Sequence, residues 1–430
     1  MRKRHQVLLL LFLAGIINYL DRSALSVAAP ILSKDLDLTP ANLGFVFSSF
    51  FVGYALFNFI GGWAADRFGG KRVYAVSMAG WSVFCALTAT ATGFASLLVI
   101  RILFGMGEGP LSAVNNKIVY TWFPRREMAS AVGIANCGTP LGGAIAGPIV
   151  GFMALAYGWQ AAFVATGLFG LVWLVAWQST ASETPSHHPT ISEAERRDIA
   201  GSRAETEASE TPEPLGHYLR NPTVLATALA FFGYNYILFF FLTWFPSYLT
   251  EARHLSIKDM SLATVLPWML GFVGLALSGI LSDAIYRRTG RALEARKLVL
   301  CVGLALAGLS VALAGLVGTT QSALLLMSCA VFFLYLTGGT YWAIVQDTVP
   351  SARIGSVGGF VHMVANCAGI IGPTVTGLLV QSTGAFTTAF ILAGGVAAIG
   401  VAAVLIFVRP ITVPSANNPP AESRAVTVGS

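Results

Sequence analysis

Four ionisable residues sit where a chain ordinarily tolerates none. Asp21 and Arg22 lie in "IINYLDRSAL" (16–25), inside an apolar run from Val7 to Leu32, and Arg101 and Glu108 lie in a second run. A charge at the centre of a membrane span costs about 2.5–3.5 kcal/mol on insertion scales, and such residues normally face a bundle interior or a watery cavity. Arg101 and Glu108 are about two helical turns apart and share a face. Tyr19 and Arg22 are three apart and also share one, whereas Asp21 points about 100° away from Arg22 around the helix. With both acids ionised the four charges cancel. With both protonated, positive charge remains and attracts an organic anion. Burial disfavours the charged form of a carboxyl group, so a proton can prepare an anion site at physiological pH and its loss can release the anion. Alternatively, the four residues form two neutral ion pairs that only lock helices together.

The rest of the chain must hold these groups in a membrane. Of its 430 residues, 55% are hydrophobic and 11% charged, against about 25% charged in soluble domains; mean hydropathy is +0.70. The sequence divides into about twelve apolar runs, each near the 20 residues that a spanning helix needs: 7–32, 42–65, 73–92, 95–119, 128–153, 159–178, 222–249, 260–283, 297–317, 321–346, 354–379 and 386–409. The expected fold is an all-α membrane protein of twelve transmembrane helices in two pseudo-symmetric six-helix bundles. Residues 1–178 form the first bundle, 179–220 a polar, acidic, solvated linker, 221–410 the second bundle and 411–430 a disordered cytoplasmic tail. Alternating connections carry almost all the Lys and Arg, and the opposite set holds only Lys34, Arg253 and Lys258. By the positive-inside rule both termini and the linker are cytoplasmic. The basic excess is thus a topology signal and gives no reason to expect nucleic acid. Cys85, Cys137, Cys301, Cys329 and Cys367 lie in apolar runs without metal-ligand or disulfide spacing and read as buried fillers. No HExxH, GxSxG or P-loop stretch is present, so an enzyme or an ATP-driven pump is not expected.

The halves echo each other. "GGWAADRFGGKR" (61–72) follows the second run and "SGILSDAIYRRTGR" (278–291) the eighth, with Gly62 and Asp66 matching Gly279 and Asp283. "ANCGTPLGGAIAGPIVG" (135–151) on the fifth run is echoed by "ANCAGIIGPTVTG" (365–377) on the eleventh. Such repeats are a transporter architecture. Gly143, Gly147 and Gly151 recur every four residues, so neighbouring backbones can approach closely, and Pro148 permits a kink.

"GGWAADRFGGKR" resembles the loop motif of the major facilitator superfamily, and the chain is similar to that superfamily over essentially its whole length. "NYLDR" (18–22), "RILFGMGEGP" (101–110) and "NYILFFFLTWFPSYL" (235–249) resemble its anion:cation symporter branch. The resemblance implies a multi-pass protein of the bacterial inner membrane. Working as a monomer without a cofactor, it would import an organic carboxylate, a sugar acid above all, with the proton as coupling ion. It implies that Arg22 contacts the substrate carboxylate, that Asp21 and Glu108 are protonated, and that Arg101 tunes them. It places Tyr19 and Tyr54 near the substrate, and Trp342 and Asn366 at matching positions in the second half. Asn235 is a further neutral candidate there, beside Tyr234, Tyr236 and His362; a lone helix histidine is usually structural, so His362 is left out. Relatives that carry galactonate have a glutamine near Thr139; the shorter residue leaves room for a bulkier acid, with Asn136 supplying an amide. Asp66, Arg67 and Arg72 are expected to form an inter-bundle latch on the cytoplasmic side, with Asp283 in the matching place. Lys117 is expected to snorkel to headgroups, and Asp347 to close a helix end or join the gating network. The competing readings are an organic-anion exchanger or efflux carrier, and a membrane sensor that binds an acid without carrying it.

Overall fold

The computed structural model describes residues 2–201, 214–350 and 353–409; the expected tail, 411–430, lies outside them. Twelve helices are long and apolar enough to cross a bilayer. They are α1 (Lys3–Asp35), α2 (Pro40–Phe68), α3 (Gly70–Thr90), α4 (Phe94–Trp122), α5 (Arg125–Tyr157), α6 (Trp159–Thr180), α7 (Pro222–Ala252), α8 (Ile257–Thr289), α9 (Ala292–Ala314), α10 (Thr320–Thr348), α11 (Ile354–Thr383) and α12 (Thr387–Phe407). Helices satisfy every backbone group internally, which lipid requires. Apolar side chains such as Val76, Val172, Val175 and Leu405 stand exposed on the outer faces, as a lipid-facing surface demands.

The duplication seen in sequence is a duplication of packing. In the first half α1 packs on α5, α2 on α4 and α3 on α6; in the second α7 packs on α11, α8 on α10 and α9 on α12. The bundles meet through α2 with α11, α5 with α8, and α1 with α7. The fourth helix of each half is broken. α4 breaks after Glu108 at Gly109–Pro110, and α10 at Gly338–Gly339. A polar side chain from the second helix of the same half meets each break: Asn58 Nδ2 donates to the Gly109 carbonyl at 3.2 Å, and the Gly339 N–H donates to Ser278 Oγ at 3.3 Å.

The bundles are closed against each other on the side away from the termini. Thr374 Oγ1 of α11 lies 2.8 Å from Ser48 Oγ of α2, and the Ala41 N–H of α2 donates to Gln381 Oε1 of α11 at 3.1 Å. The glycine row of α5 faces the start of α8: a Cβ on Gly143 would strike the Trp268 ring, one on Gly147 the Ser261 carbonyl, and one on Gly151 the Ser261 hydroxyl. Gly147→Val therefore overpacks this seam, at a cost of about 1–3 kcal/mol, enough to shift a two-state equilibrium about tenfold. In a cysteine-free background, Ser26→Cys, buried at the seam, is expected to react about tenfold faster with an impermeant maleimide once Gly147→Val is added. Unchanged labelling would mean that the glycines only pack.

The linker departs from expectation. Its helix Glu193–Gly201 docks against the start of α1. The Glu195 carboxylate accepts the N–H groups of Lys3 at 3.1 Å and Arg4 at 3.0 Å, satisfying donors that a helix start leaves free. Arg4 is fully buried between Asp198 (2.8 Å) and Glu127 (3.0 Å). The acidic composition is thus a docking surface for the basic N-terminus, not merely a solvated spacer. Of the cysteines, Cys85 and Cys301 are buried, while Cys329 and Cys367 are exposed, so the filler expectation fails for the latter two.

Candidate functional site

Arg22 projects from the middle of α1 toward the space between the bundles. Its Nη2–H and Nε–H both donate to Glu108 Oε2 of α4, at 2.7 and 3.2 Å. Glu108 is fully buried and its Oε1 accepts nothing. Aromatic rings collar the guanidinium: its carbon lies 5.3 Å from the Tyr19 ring centre and 4.9 Å from those of Phe50 and Tyr54. Arg101 is held without a salt bridge, its guanidinium carbon 4.9 Å from the same Phe50 ring and 4.8 Å from Phe104. Phe50 thus stands against two guanidinium groups and offers each a cation–π contact.

Asp21 faces the other way, into its own bundle, beside Trp81, Cys85 and Thr166 of α3 and α6. It is fully buried, and neither oxygen accepts a hydrogen bond. The alternative of two neutral ion pairs therefore fails. Among the described residues one pair forms, Arg22 with Glu108, and Asp21 and Arg101 remain buried without a salt-bridge partner.

A cavity of about 210 Å³ lies between the bundles. Of the sequence candidates it brings together Tyr19, Arg22, Tyr54, Asn136, Thr139, Asn235 and Asn366. Thr139 Oγ1 donates to the Asn136 carbonyl at 2.8 Å, which leaves its oxygen turned to other donors. Trp342 is a correction: it does not line the cavity but packs behind the wall, 5.6 Å from the His362 ring and 6.3 Å from Phe231. The α10 break re-aims the chain after Gly339, and Gly358 of α11 leaves room for the indole. His362, set aside on sequence, stands on the wall in its place. Asn18, Ser112, Asn115 and Tyr335 also line the cavity unforeseen. Helical spacing could have found Ser112 and Asn115, four and seven residues after Glu108, had the break at Gly109–Pro110 not hidden the phase.

A second cavity, about 840 Å³, opens on the side of the termini between α5 and α8. It explains why, among the described residues, the expected latch is unmade. Asp66 pairs with Lys117 at 2.7 Å, and Asp283 with Arg296 at 2.8 Å, each inside its own bundle. Arg67 lies over Trp63 and Phe68. The Arg72 N–H donates to Glu183 Oε1 at 3.0 Å. None of these contacts reaches the other bundle, because the space between is open. Lys117 therefore has a protein partner and not just headgroups, and Asp347 lies 3.7 Å from Arg296 Nε.

Residues 11–373 match the Major Facilitator Superfamily. The chain belongs to that superfamily. It is 54% identical over 407 residues to the hexuronate transporter of Bacillus subtilis (strain 168), covering 94% of each chain. It is 33% identical over 425 residues to a probable galactarate/D-glucarate transporter of Escherichia coli (strain K12), covering 95% of this chain and 94% of that one. Among solved structures, the D-xylose-proton symporter superposes with a TM-score of 0.77 at 16% identity, covering 94% of this chain and 97% of that one. This major facilitator is a transporter and not an enzyme, a multi-pass protein of the inner membrane.

Proposed function

We propose that this transporter imports a sugar acid by proton symport through alternating access. The observation that carries the reading is the Arg22–Glu108 pair at the cavity wall. A guanidinium is a natural carboxylate receptor, yet here an internal carboxylate holds it. Protonating Glu108 removes the competing charge and leaves Arg22 for the anion. Returning the proton to solvent restores the pair and expels the acid. Asp21, buried without a cation in contact, is the second proton site, since an unpaired carboxylate in an apolar interior is costly and a proton removes the charge. Arg101 acts on both acids through space. Tyr19, Tyr54, Asn136, Thr139, Asn235 and Asn366 supply the neutral contacts. With the termini cytoplasmic, as the Lys and Arg distribution implies, the molecule has its outer side closed and its inner side open. Asp66, Arg67, Arg72 and Asp283 engage across the bundles when the inner side shuts. The likeness to a hexuronate transporter supports a sugar acid as cargo.

The test is proton entry into vesicles that hold the protein and a pH-sensitive dye. D-Galacturonate or D-glucuronate added outside is expected to acidify the lumen, and a protonophore to collapse the signal. Labelled acid that enters without acidification would overturn proton symport and leave an exchanger or a sodium-driven carrier.

A further inference from the structure

Two buried aromatic rings outside the charge site occupy one and the same position of the repeat. Phe51 on α2 and Trp268 on α8 each lie fifteen residues before the motif aspartate of their half, Asp66 and Asp283. α2 and α8 are the second helices of the two halves. Each packs on the fifth helix of the opposite half, α2 on α11 and α8 on α5. Both rings are buried in those seams, 2% and 4% exposed, and each sits where a glycine withholds a side chain. A Cβ on Gly369 of α11 would strike the Phe51 ring, and one on Gly143 of α5 would strike the Trp268 ring. The glycines correspond as well. Gly369 lies three residues after Asn366 and Gly143 seven after Asn136, in the "ANC" stretches common to both helices. The difference of four residues is about one turn, so the two notches open on the same helix face.

Each ring also reaches the first helix of the opposite half. Trp268 meets Tyr19 of α1 edge to face, with 5.8 Å between centres, and Phe51 lies 4.2 Å from Phe239 of α7. Tyr19 and Phe239 line the central cavity. On their own side, Phe241 and Tyr335 pack on Trp268 at 4.9 and 6.3 Å, and Phe50 packs on Phe51 at 5.0 Å. Phe51 follows Ser48 by about one turn, and the Ser48 hydroxyl meets Thr374 across the closed side. We infer that Phe51 and Trp268 are a reciprocal pair of plugs that shut the outer mouth of the cavity, a ring of each bundle seated in a glycine notch of the other. This goes beyond the alternating access proposed above and rests on it. Opening the outer side must draw both rings from their notches. Dispersion falls off within a fraction of an ångström, so a ring in a fitted notch holds when seated and loses its grip once the seam parts.

The test is outer access of an impermeant maleimide to Ser112→Cys, on the cavity wall, in a cysteine-free background and right-side-out vesicles. Trp268→Ala, which removes a plug, and Gly143→Ala, which fills its notch, are each expected to speed labelling about tenfold. Gly143→Ala is expected to add nothing once Trp268→Ala is present, yet to keep its effect beside Phe51→Ala. Phe51→Ala and Gly369→Ala are expected to show the mirror-image pattern. Where an alanine variant does not elute as a single symmetric peak, Trp268→Leu or Phe51→Leu gives the same comparison. Rings that only pack predict a lower melting temperature with outer labelling unchanged, and that result overturns the plugs. Full additivity of Gly143→Ala with Trp268→Ala overturns them too. Alternating access is tested apart, by a disulfide between Ser48→Cys and Thr374→Cys, whose hydroxyls are 2.8 Å apart in the unaltered protein. With the seam locked, labelled D-galacturonate is expected to stop entering vesicles, and reductant to restore entry. Entry through the locked protein overturns alternating access, whereas labelling that no plug or notch variant moves overturns the plugs alone.

Discussion

Arg22→Gln is expected to weaken binding of the transported acid by about a hundredfold or more and to bring uptake to background. Removing one partner of a buried ion pair costs about 3–5 kcal/mol, and about 1.4 kcal/mol is a factor of ten in affinity. The substitution also strips the cavity of the Arg22 charge, which offsets the cost of drawing an anion out of water. Arg22→Lys is expected to recover only a fraction of the loss. Two N–H groups of Arg22 converge on one Glu108 oxygen while the guanidinium sits among the rings of Tyr19, Phe50 and Tyr54. A lysine ammonium is a hydrated point charge that neither forks nor stacks. Calorimetry on detergent-purified protein reads the affinity, and elution as a single symmetric peak shows that the variant is folded. Binding close to that of the unaltered protein in Arg22→Gln would remove Arg22 from the anion site.

The difference between what the sequence exposes and what it hides follows from range. Spans are legible because each is a local apolar run, and the duplication because both halves kept the same glycines and acids on corresponding helices. Along one helix, spacing also serves: Tyr19 and Arg22 do share a face toward the cavity, and Asp21 does turn away from it. Contacts between helices obey no such period. Phe50 between two arginines looks like any phenylalanine of a lipid-facing run. His362 could not be told from a packing histidine without Trp342 behind it and Asn366 above it. The linker's acids resemble those of a solvated spacer until the N-terminus folds back to meet them. Latch residues mislead for a further reason. Their partners depend on conformation, and one conformation shows Asp66 and Asp283 held within their own bundles.

Glu108→Gln is expected to separate binding from coupling. In the unaltered protein the ionised Glu108 competes with the acid for Arg22, so binding should strengthen as pH falls and the carboxyl takes a proton. Glutamine never carries the competing charge, so Arg22 is left for the anion at every pH. The variant should therefore bind the acid with little pH dependence and exchange labelled for unlabelled acid across the membrane. It should not accumulate acid against a gradient, and the acidification signal should be lost. Glutamine also leaves Arg22 a buried cation with no anionic partner, a state that costs several kcal/mol. The bound acid repairs that defect, so ligand should raise the melting temperature more in Glu108→Gln than in the unaltered protein. A merely structural salt bridge predicts the same loss of stability but no greater response to ligand and an unchanged pH dependence. Whatever pH dependence survives in Glu108→Gln then belongs to Asp21, which faces α3 and α6 and not the cavity. That residue can sense protonation without touching the acid, so its share should appear in the rate of bundle exchange more than in affinity.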